Sequence, residues 1–214
     1  VVRRREVCVV QHRVVAIDDA LAEPGRVVGE RDEFRFAGDA AVAIEFEFYF
    51  VDRERTAAGL PQPPRSPLTG RREHKTQINS MHNLDAYSAV LAEIDCVCSA
   101  QGVPATTALA EYGPGQYEVN LRHSADALRA CDEALRFKRI VKAVARRHGM
   151  DATFLPKPYR DMAGSGLHVH VSITDHAGRN IFASDQPEHC AVLRHAIAGT
   201  LTTLADGTAI CAPG

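Results

Sequence analysis

The segment 41–51 alternates apolar and polar side chains, and this pattern constrains the fold more than any other in the chain. The apolar set is Ile44, Phe46, Phe48 and Phe50, and the intervening set is Glu45, Glu47 and Tyr49. Period-two alternation of β-branched and aromatic residues is typical of a strand with one buried face. Both glutamates then share the other face, with Cβ atoms about 6.6 Å apart. That spacing suits a divalent cation, although a solvated strand face carries the same pattern.

A second pair of glutamates, Glu111 and Glu118, flanks a Gly-Pro-Gly turn signal at 113–115. Short strand-like runs on either side indicate a hairpin. With Pro and Gly as the central turn residues, Glu111 lies directly opposite Glu118 on one face. Like charges opposed across a hairpin raise its free energy unless a counter-ion lies between them. The pair therefore indicates a cation site, and the alternative is a solvent-facing hairpin.

A third pair, His168 and His170, follows a Gly-Ser-Gly entry at 164–166 and alternates with apolar residues. A single histidine on a strand is commonly a structural hydrogen-bonding group. Two on one face, beside glycines that permit close approach of a ligand, indicate a binding surface. Four carboxylates and one or two imidazoles form a donor set that suits Mg²⁺ or Mn²⁺ better than a thiolate-bound metal.

Four segments of the chain carry a resemblance to a known family. They are Glu45-Phe46-Glu47-Phe48, Glu111-Tyr112-Gly113-Pro114-Gly115-Gln116-Tyr117-Glu118, Phe154-Leu155-Pro156-Lys157-Pro158 and Gly164-Ser165-Gly166-Leu167-His168-Val169-His170-Val171-Ser172. In this order they resemble the signatures of the glutamine synthetase family. The likeness runs from about Val42 to the C-terminus, and the connecting segments look most like the branch that includes γ-glutamylpolyamine (γ-glutamylputrescine) synthetases.

The resemblance implies an α+β fold, with an antiparallel curved sheet and helices packed on one side. Residues 41–214 would form a glutamine synthetase-like catalytic domain truncated at its C-terminal side, and residues 1–40 an unassigned leader that does not match the family. Family members continue beyond the point that matches 209–213 with further phosphate-binding and metal-ligating residues. We therefore expect five of six metal ligands and impaired turnover.

The resemblance also implies roles for eight residues and no covalent nucleophile. Glu47, Glu111 and Glu118 would ligate one metal, Glu45 and His168 would contribute to another, His170 and Ser172 would contact the nucleotide, and Gly164 would belong to the glutamate-binding loop. The ammonia-using members carry an Asn just before that glycine, whereas this chain has Ala163. The substitution puts ammonia as the natural acceptor in doubt.

The activity implied by the resemblance is an ATP-dependent ligation. ATP would phosphorylate the glutamate γ-carboxylate, and ammonia or an amine, such as a polyamine, would attack the γ-glutamyl phosphate, with Mg²⁺ or Mn²⁺ offsetting charge. Family members assemble as homo-oligomers, and the sequence leaves open whether this chain does so. Two alternatives stay open: a catalytically silent remnant that binds metal or nucleotide, and a hydrolase using the same Glu and His cluster without ATP.

Composition excludes some other classes. A net charge of −2 argues against nucleic acid as the main partner. No stretch approaches membrane-spanning length. The six cysteines form neither a Cys-x-x-Cys pair nor a compact disulfide framework. We interpret them as reduced and mostly buried thiols of a cytoplasmic protein.

Apolar periodicity predicts three helices, at 84–101, 124–148 and 185–204. Ser124 would cap the second helix, with Leu128, Leu135, Val141 and Val144 among its apolar positions. Pro187 would lie in the first turn of the third. The proline-rich segment 57–76 is predicted to be a surface loop at the rim of the site.

Overall fold

The computed structural model describes residues 7–10, 38–185 and 190–207. These residues belong to two compact units. The first unit comprises the described parts of Val1–Val42, Ser124–Ala127 and His168–Gly214, and the second comprises Ala43–His123 and Leu128–Leu167.

The described residues form six strands and four helices. The strands are β1 (Val7–Val10), β2 (Gly38–Asp52), β3 (Ala105–Ala110), β4 (Gln116–Leu121), β5 (Met150–Thr153) and β6 (Leu167–Asp175). The helices are α1 (Met81–Ala86), α2 (Ser88–Ala100), α3 (Ala127–Arg147) and α4 (Ala191–Thr202).

In the first unit, β1 pairs antiparallel with β6, with Val10 opposite His168. The apolar face of β6 follows the predicted alternation, because Val169 and Ile173 are buried. Ile173 forms a core cluster with Phe182 and with Ala196 of α4. The helix therefore covers the apolar side of this strand.

In the second unit, β2 is the central strand. It pairs antiparallel with β4, where Phe46 lies opposite Val119, and with β5, where Phe50 lies opposite Ala152. β4 pairs antiparallel with β3 on its other edge. The β3–β4 pair is a hairpin of neighbouring segments. The other two pairings join strands that are distant in sequence.

The helices of the second unit cover the apolar face of β2. Phe46 stacks on Phe137 of α3 at a centroid distance of 5.5 Å, and Phe50 stacks on Tyr87, between α1 and α2, at 5.8 Å. Phe48 also contacts the Phe137 ring. Aromatic pairs of this kind add about 0.5–1.5 kcal/mol each beyond the burial of their area. The predicted α+β class, with an antiparallel sheet and helices on one side, is confirmed.

The predicted helix at 84–101 is wrong in its start and its continuity. Helix α1 begins earlier, because the Ser80 side chain caps it by accepting a hydrogen bond from the Asn83 backbone N–H. Tyr87 then separates α1 from α2 at φ −110° and ψ 13°, and its buried ring packs in the aromatic core. The predicted end is confirmed, since Gly102 adopts a φ of +66° just after α2.

Helix α3 buries two of its four predicted apolar positions, Val141 and Val144. Leu128 is 80% exposed and Leu135 is 67% exposed, so the prediction that they face the core is wrong. The buried residues of this helix are Ala130, Glu133, Ala134, Phe137, Ile140, Val141, Val144 and Ala145. Ser124 does not cap α3 either, because its hydroxyl bonds to the backbone of Asp126, before the helix begins.

The third predicted helix begins later than expected, at Ala191. Pro187, placed in its first turn, lies outside the described residues. The predicted surface loop at 57–76 contains no helix, and most of its residues are exposed.

The Asp52–Arg72 ion pair holds that loop against the end of β2. The two side chains approach to 2.8 Å and are 14% and 16% exposed. Burial alone would raise the pKa of Asp52, but hydrogen bonds from the Glu54 backbone N–H and from Arg72 outweigh it and lower the pKa. The Arg72 guanidinium also contacts the Pro63 carbonyl. The Asp52 carboxylate thus anchors the loop 57–76 through Arg72.

We expect Asp52→Asn to destabilise the chain by about 1–2 kcal/mol at neutral pH, because the Arg72 guanidinium loses its charged hydrogen-bond acceptor. A carboxylate whose folded-state pKa is lowered stabilises the fold above its unfolded value of 3.8. That contribution is lost as the pH falls through the lower folded-state pKa. Urea unfolding at pH 7 and near pH 3 would measure this, and the difference between variant and unsubstituted chain should shrink at low pH. Asp132→Asn on the exposed side of α3 is the matched control, and an equal cost there would contradict the prediction.

The cysteines are less buried than predicted. Among the four whose surroundings the structure describes, Cys98 is buried, Cys190 is half-buried, and Cys96 and Cys131 are exposed. Burial, followed by the charge of Asp95, raises the pKa of the Cys98 thiol to about 11. In the described part of the chain, no helix combines the length and the apolar character that a membrane span requires.

Candidate metal centre

The β3–β4 hairpin contains the predicted turn in a different register. The Gln116 N–H donates to the Gly113 carbonyl at 3.0 Å, and Gly115 has a φ of +78°, which a type II turn requires. However, Glu118 lies opposite Leu109, so the prediction that Glu111 faces it directly is wrong. The reason is that the Gly113 N–H donates to the Gln116 side chain, at 2.9 Å, rather than to the ladder. The loop is thereby longer than a two-residue turn.

The strand pairing instead places Glu118 directly opposite Glu47 of β2. Glu45 is two residues away on the same face, and one of its carboxylate oxygens lies within 4.8 Å of one from Glu118. All three side chains are half-buried. Directly opposed carboxylates favour a cation between or beside them. The register between β2 and β4 therefore brings three of the four predicted carboxylates to one place.

Tyr49 shows that the fourth carboxylate belongs to the same electrostatic environment. The tyrosine is fully buried, and burial, then the negative charges of Glu47 and Glu111, raise its pKa to about 12. Its hydroxyl donates to the Ala163 carbonyl at 2.9 Å. Sequence reasoning missed this residue, although the alternation of β2 does place it on the glutamate face.

Gln116 is a second residue that sequence reasoning missed. Its amide is buried and donates to Glu47 Oε2 at 3.0 Å and to the Gly164 carbonyl at 2.9 Å. The only available signal was its position within the segment 111–118, because an uncharged amide there suggests neither a ligand nor a core residue.

The glycine-rich loop before β6 depends on close backbone contacts. The Ser165 N–H donates to the Pro156 carbonyl at 2.8 Å. A Cβ atom added at Gly164 would lie 2.7 Å from the same oxygen, a distance at which the backbone must move. The glycine at this position is thus explained by the packing of the chain on itself.

The histidines lie in the first unit. His168, His170 and Ser172 are half-buried and alternate with the apolar residues of β6, as predicted. Since the carboxylates belong to the second unit, the participation of these three residues in the same site stays a prediction.

The donor chemistry of the second unit fits a hard divalent cation. Carboxylate oxygens are the ligands that Mg²⁺ and Mn²⁺ prefer, and Glu45 and Glu118 already present two such oxygens to one another within 4.8 Å. The buried Tyr49, whose ionisation is suppressed, experiences the negative charge that such a cation would offset.

Comparison with known proteins agrees with the resemblance seen in the sequence. The family model for the glutamine synthetase catalytic domain matches residues 26–214. Gamma-glutamylputrescine synthetase PuuA of Escherichia coli is 42% identical over 172 residues, and glutamate–isopropylamine ligase of a Pseudomonas species is 33% identical over 176 residues. Each alignment covers 80% of this chain.

Solved structures agree with these sequence matches. A GmaS/ADP complex aligns over 70% of this chain and 33% of its own, with a TM-score of 0.58 and 29% identity. Glutamine synthetase of Plasmodium falciparum aligns with a TM-score of 0.57 at 20% identity, which supports the fold alone. The chain spans 36% and 37% of the two curated relatives, or about a third of their length.

Proposed function

This chain belongs to the glutamine synthetase family, and on that premise we propose that it carries the metal-binding part of an ATP-dependent ligase. The ligase would join the γ-carboxyl group of glutamate to an amine, with formation of a carbon–nitrogen bond. The observation that carries the proposal is the opposition of Glu47 and Glu118 across two strands distant in sequence, with Glu45 beside them.

The proposed metal ligands are the predicted ones. Glu47, Glu111 and Glu118 would hold one Mg²⁺ or Mn²⁺ ion, and Glu45 and His168 would contribute to a second. The ions, when bound, would offset the charge of the ATP phosphates during transfer. Glu45, Glu47 and Glu118 lie in strands, and Glu111 follows the last residue of β3. Placement on or directly beside strands favours fixed ligand positions before the metal binds.

The ligation itself takes two chemical steps. Transfer of the ATP γ-phosphoryl group to the glutamate γ-carboxylate forms a γ-glutamyl phosphate and releases ADP. The amine nitrogen then attacks the acyl carbon, phosphate leaves, and a proton departs from nitrogen. None of these steps needs a covalent enzyme nucleophile, so positioning and electrostatics supply the acceleration. His170 and Ser172 are proposed to contact the nucleotide, and Gly164 to shape the glutamate loop.

An alkylamine is the acceptor that we propose in preference to ammonia. Two of the curated relatives, which align over 80% of this chain, are named for putrescine and isopropylamine. Here Ala163 stands where the resemblance implies an asparagine in the ammonia-using members, and Tyr49 holds its backbone carbonyl. Residue 163 is therefore anchored through its main chain, and its small side chain carries no hydrogen-bonding group. Homo-oligomeric assembly and a cytoplasmic location complete the proposal.

An ADP-release assay tests this function. We expect release that requires glutamate, an amine and Mg²⁺ or Mn²⁺ together, with putrescine or isopropylamine used faster than ammonia. Glu47→Gln should remove the activity. Glu54→Gln is the matched control, because Glu54 is exposed and lies after the end of β2.

Two results would contradict parts of the proposal. Equal rates with ammonia and putrescine would contradict the acceptor preference. Metal or nucleotide binding without glutamate-dependent ADP release would make the chain a binding remnant and would contradict its activity as a ligase.

A further inference from the structure

The side chain of Gln116 satisfies three backbone or carboxylate groups at once. Its Oε1 accepts from the Gly113 N–H at 2.9 Å, and its Nε2 donates to Glu47 Oε2 at 3.0 Å and to the Gly164 carbonyl at 2.9 Å. The Gly113 N–H can only donate, and the other two partners here can only accept. The orientation of the amide is therefore fixed by its surroundings.

Burial makes these contacts costly to lose. Gln116 is 2% exposed, so an unpaired amide at this position would have no water to replace its partners. Both N–H bonds of the amide are used, one on the candidate metal ligand and one on the glycine loop. Few uncharged side chains could satisfy a carboxylate and a carbonyl simultaneously while accepting from a third group.

We propose that Gln116 is a positioning residue that orients the Glu47 carboxylate for metal binding and couples it to the glycine loop at Gly164. This inference rests on the proposed metal-binding function. With Oε2 held by the amide, the other Glu47 oxygen stays available to a cation. A hydrogen bond to a ligating carboxylate commonly tunes metal affinity by about 10- to 100-fold.

The coupling to the loop follows from Gln116 Nε2, which donates both to the Glu47 carboxylate and to the Gly164 carbonyl. A cation that draws electron density from Glu47 weakens Oε2 as an acceptor, and the amide can then favour the Gly164 carbonyl. Gly164 immediately precedes Ser165, whose N–H is bonded to Pro156. Metal binding should therefore slow local opening of the loop. The Glu47 N–H also donates to the Gly166 carbonyl at 3.1 Å, but that backbone bond does not involve the carboxylate that binds the metal, so we expect the effect to pass mainly through Gln116.

A double-mutant cycle measures the positioning role. Mn²⁺ affinity, determined by electron paramagnetic resonance of free Mn²⁺, should fall about 10-fold in Gln116→Met. In a Glu47→Gln background the same substitution should change affinity by less than about 2-fold, whereas in a Glu45→Gln background it should keep its full effect. Equal losses in both backgrounds would overturn the proposal, because general disruption of the fold acts equally on both.

Hydrogen exchange of the Ser165 amide provides the second readout. In the unsubstituted chain Mg²⁺ should slow this exchange, and in Gln116→Met the slowing should be lost. Retained slowing in the variant would overturn the coupling to the loop. If Glu47→Gln leaves Mn²⁺ affinity unchanged, the proposed metal site itself fails. If that substitution weakens binding but Gln116→Met does not, only the role of Gln116 fails.

Discussion

Glu118→Gln is expected to remove most of the stabilisation that Mn²⁺ gives this chain while changing the metal-free stability by less than about 1 kcal/mol. The amide keeps the size of the side chain and removes its charge. Without metal, relief of repulsion between Glu118 and the opposed Glu47 works against the loss of contacts that the carboxylate makes. With metal, a charged ligand is missing and nothing compensates for it.

The size of the effect follows from linkage. A ligand present at 100 times its dissociation constant stabilises the folded state by about 2.7 kcal/mol, which corresponds to roughly 5–10 °C in Tm for a domain of this size. Thermal unfolding with and without Mn²⁺ would measure both numbers. We expect this upward shift in the unsubstituted chain and little shift in Glu118→Gln.

Glu54→Gln is the control, because it removes the same charge from an exposed position. Its Mn²⁺ shift should equal that of the unsubstituted chain. A full shift in Glu118→Gln would place the cation elsewhere. A large loss of metal-free stability would mean that the carboxylate is mainly a structural group.

The face of each strand could be read from sequence because it depends on local geometry. In β2 the phenylalanines at 46, 48 and 50 are buried against helices, and Glu45 and Glu47 lie on the other face. This follows from the period of two alone. The α+β class was implied by the family resemblance, and the alternating segments and helical patterns agree with it.

The partner of each glutamate could not be read in this way. Glu118 lies opposite Glu47 because β2 pairs with β4 across more than sixty residues of intervening chain, and no local pattern encodes that register. The prediction that Glu111 lies opposite Glu118 was wrong for a second reason. A side chain, Gln116, takes the backbone N–H of Gly113, and turn propensities do not include such competition.

The buried face of helix α3 was predicted only in part, for a related reason. Leu128 and Leu135 are the most apolar residues of their part of α3, yet they are exposed and Ala130 and Ala134 are buried. Which side of a helix is buried depends on the surface that it packs against, and not on the hydrophobicity of its own side chains alone. The same dependence on tertiary contacts concealed Tyr49 and Gln116.

The glycine loop yields the second large prediction. Gly164→Ala should destabilise the chain by about 2 kcal/mol, equivalent to roughly 4–8 °C in Tm, and should weaken Mn²⁺ binding. The added methyl group would lie 2.7 Å from the Pro156 carbonyl oxygen. That oxygen belongs to the backbone and already accepts from the Ser165 N–H at 2.8 Å. Relief of the clash must therefore displace the loop, together with the Gly164 carbonyl that Gln116 binds.

Gly102→Ala separates this effect from the general cost of losing a glycine. Nothing lies within 4 Å of a Cβ at Gly102, and its φ of +66° alone makes alanine unfavourable, by about 1 kcal/mol. It should lower Tm modestly and leave Mn²⁺ affinity unchanged. Equal behaviour of the two variants in thermal unfolding and in Mn²⁺ titration would contradict the prediction. A selective loss of affinity in Gly164→Ala requires a mechanical path from the loop to Glu47, because alanine at residue 164 adds neither charge nor a ligand. Two contacts provide such a path: the Gln116 amide, which bonds to the Glu47 carboxylate and to the Gly164 carbonyl, and the Glu47 N–H, which donates to the Gly166 carbonyl at 3.1 Å.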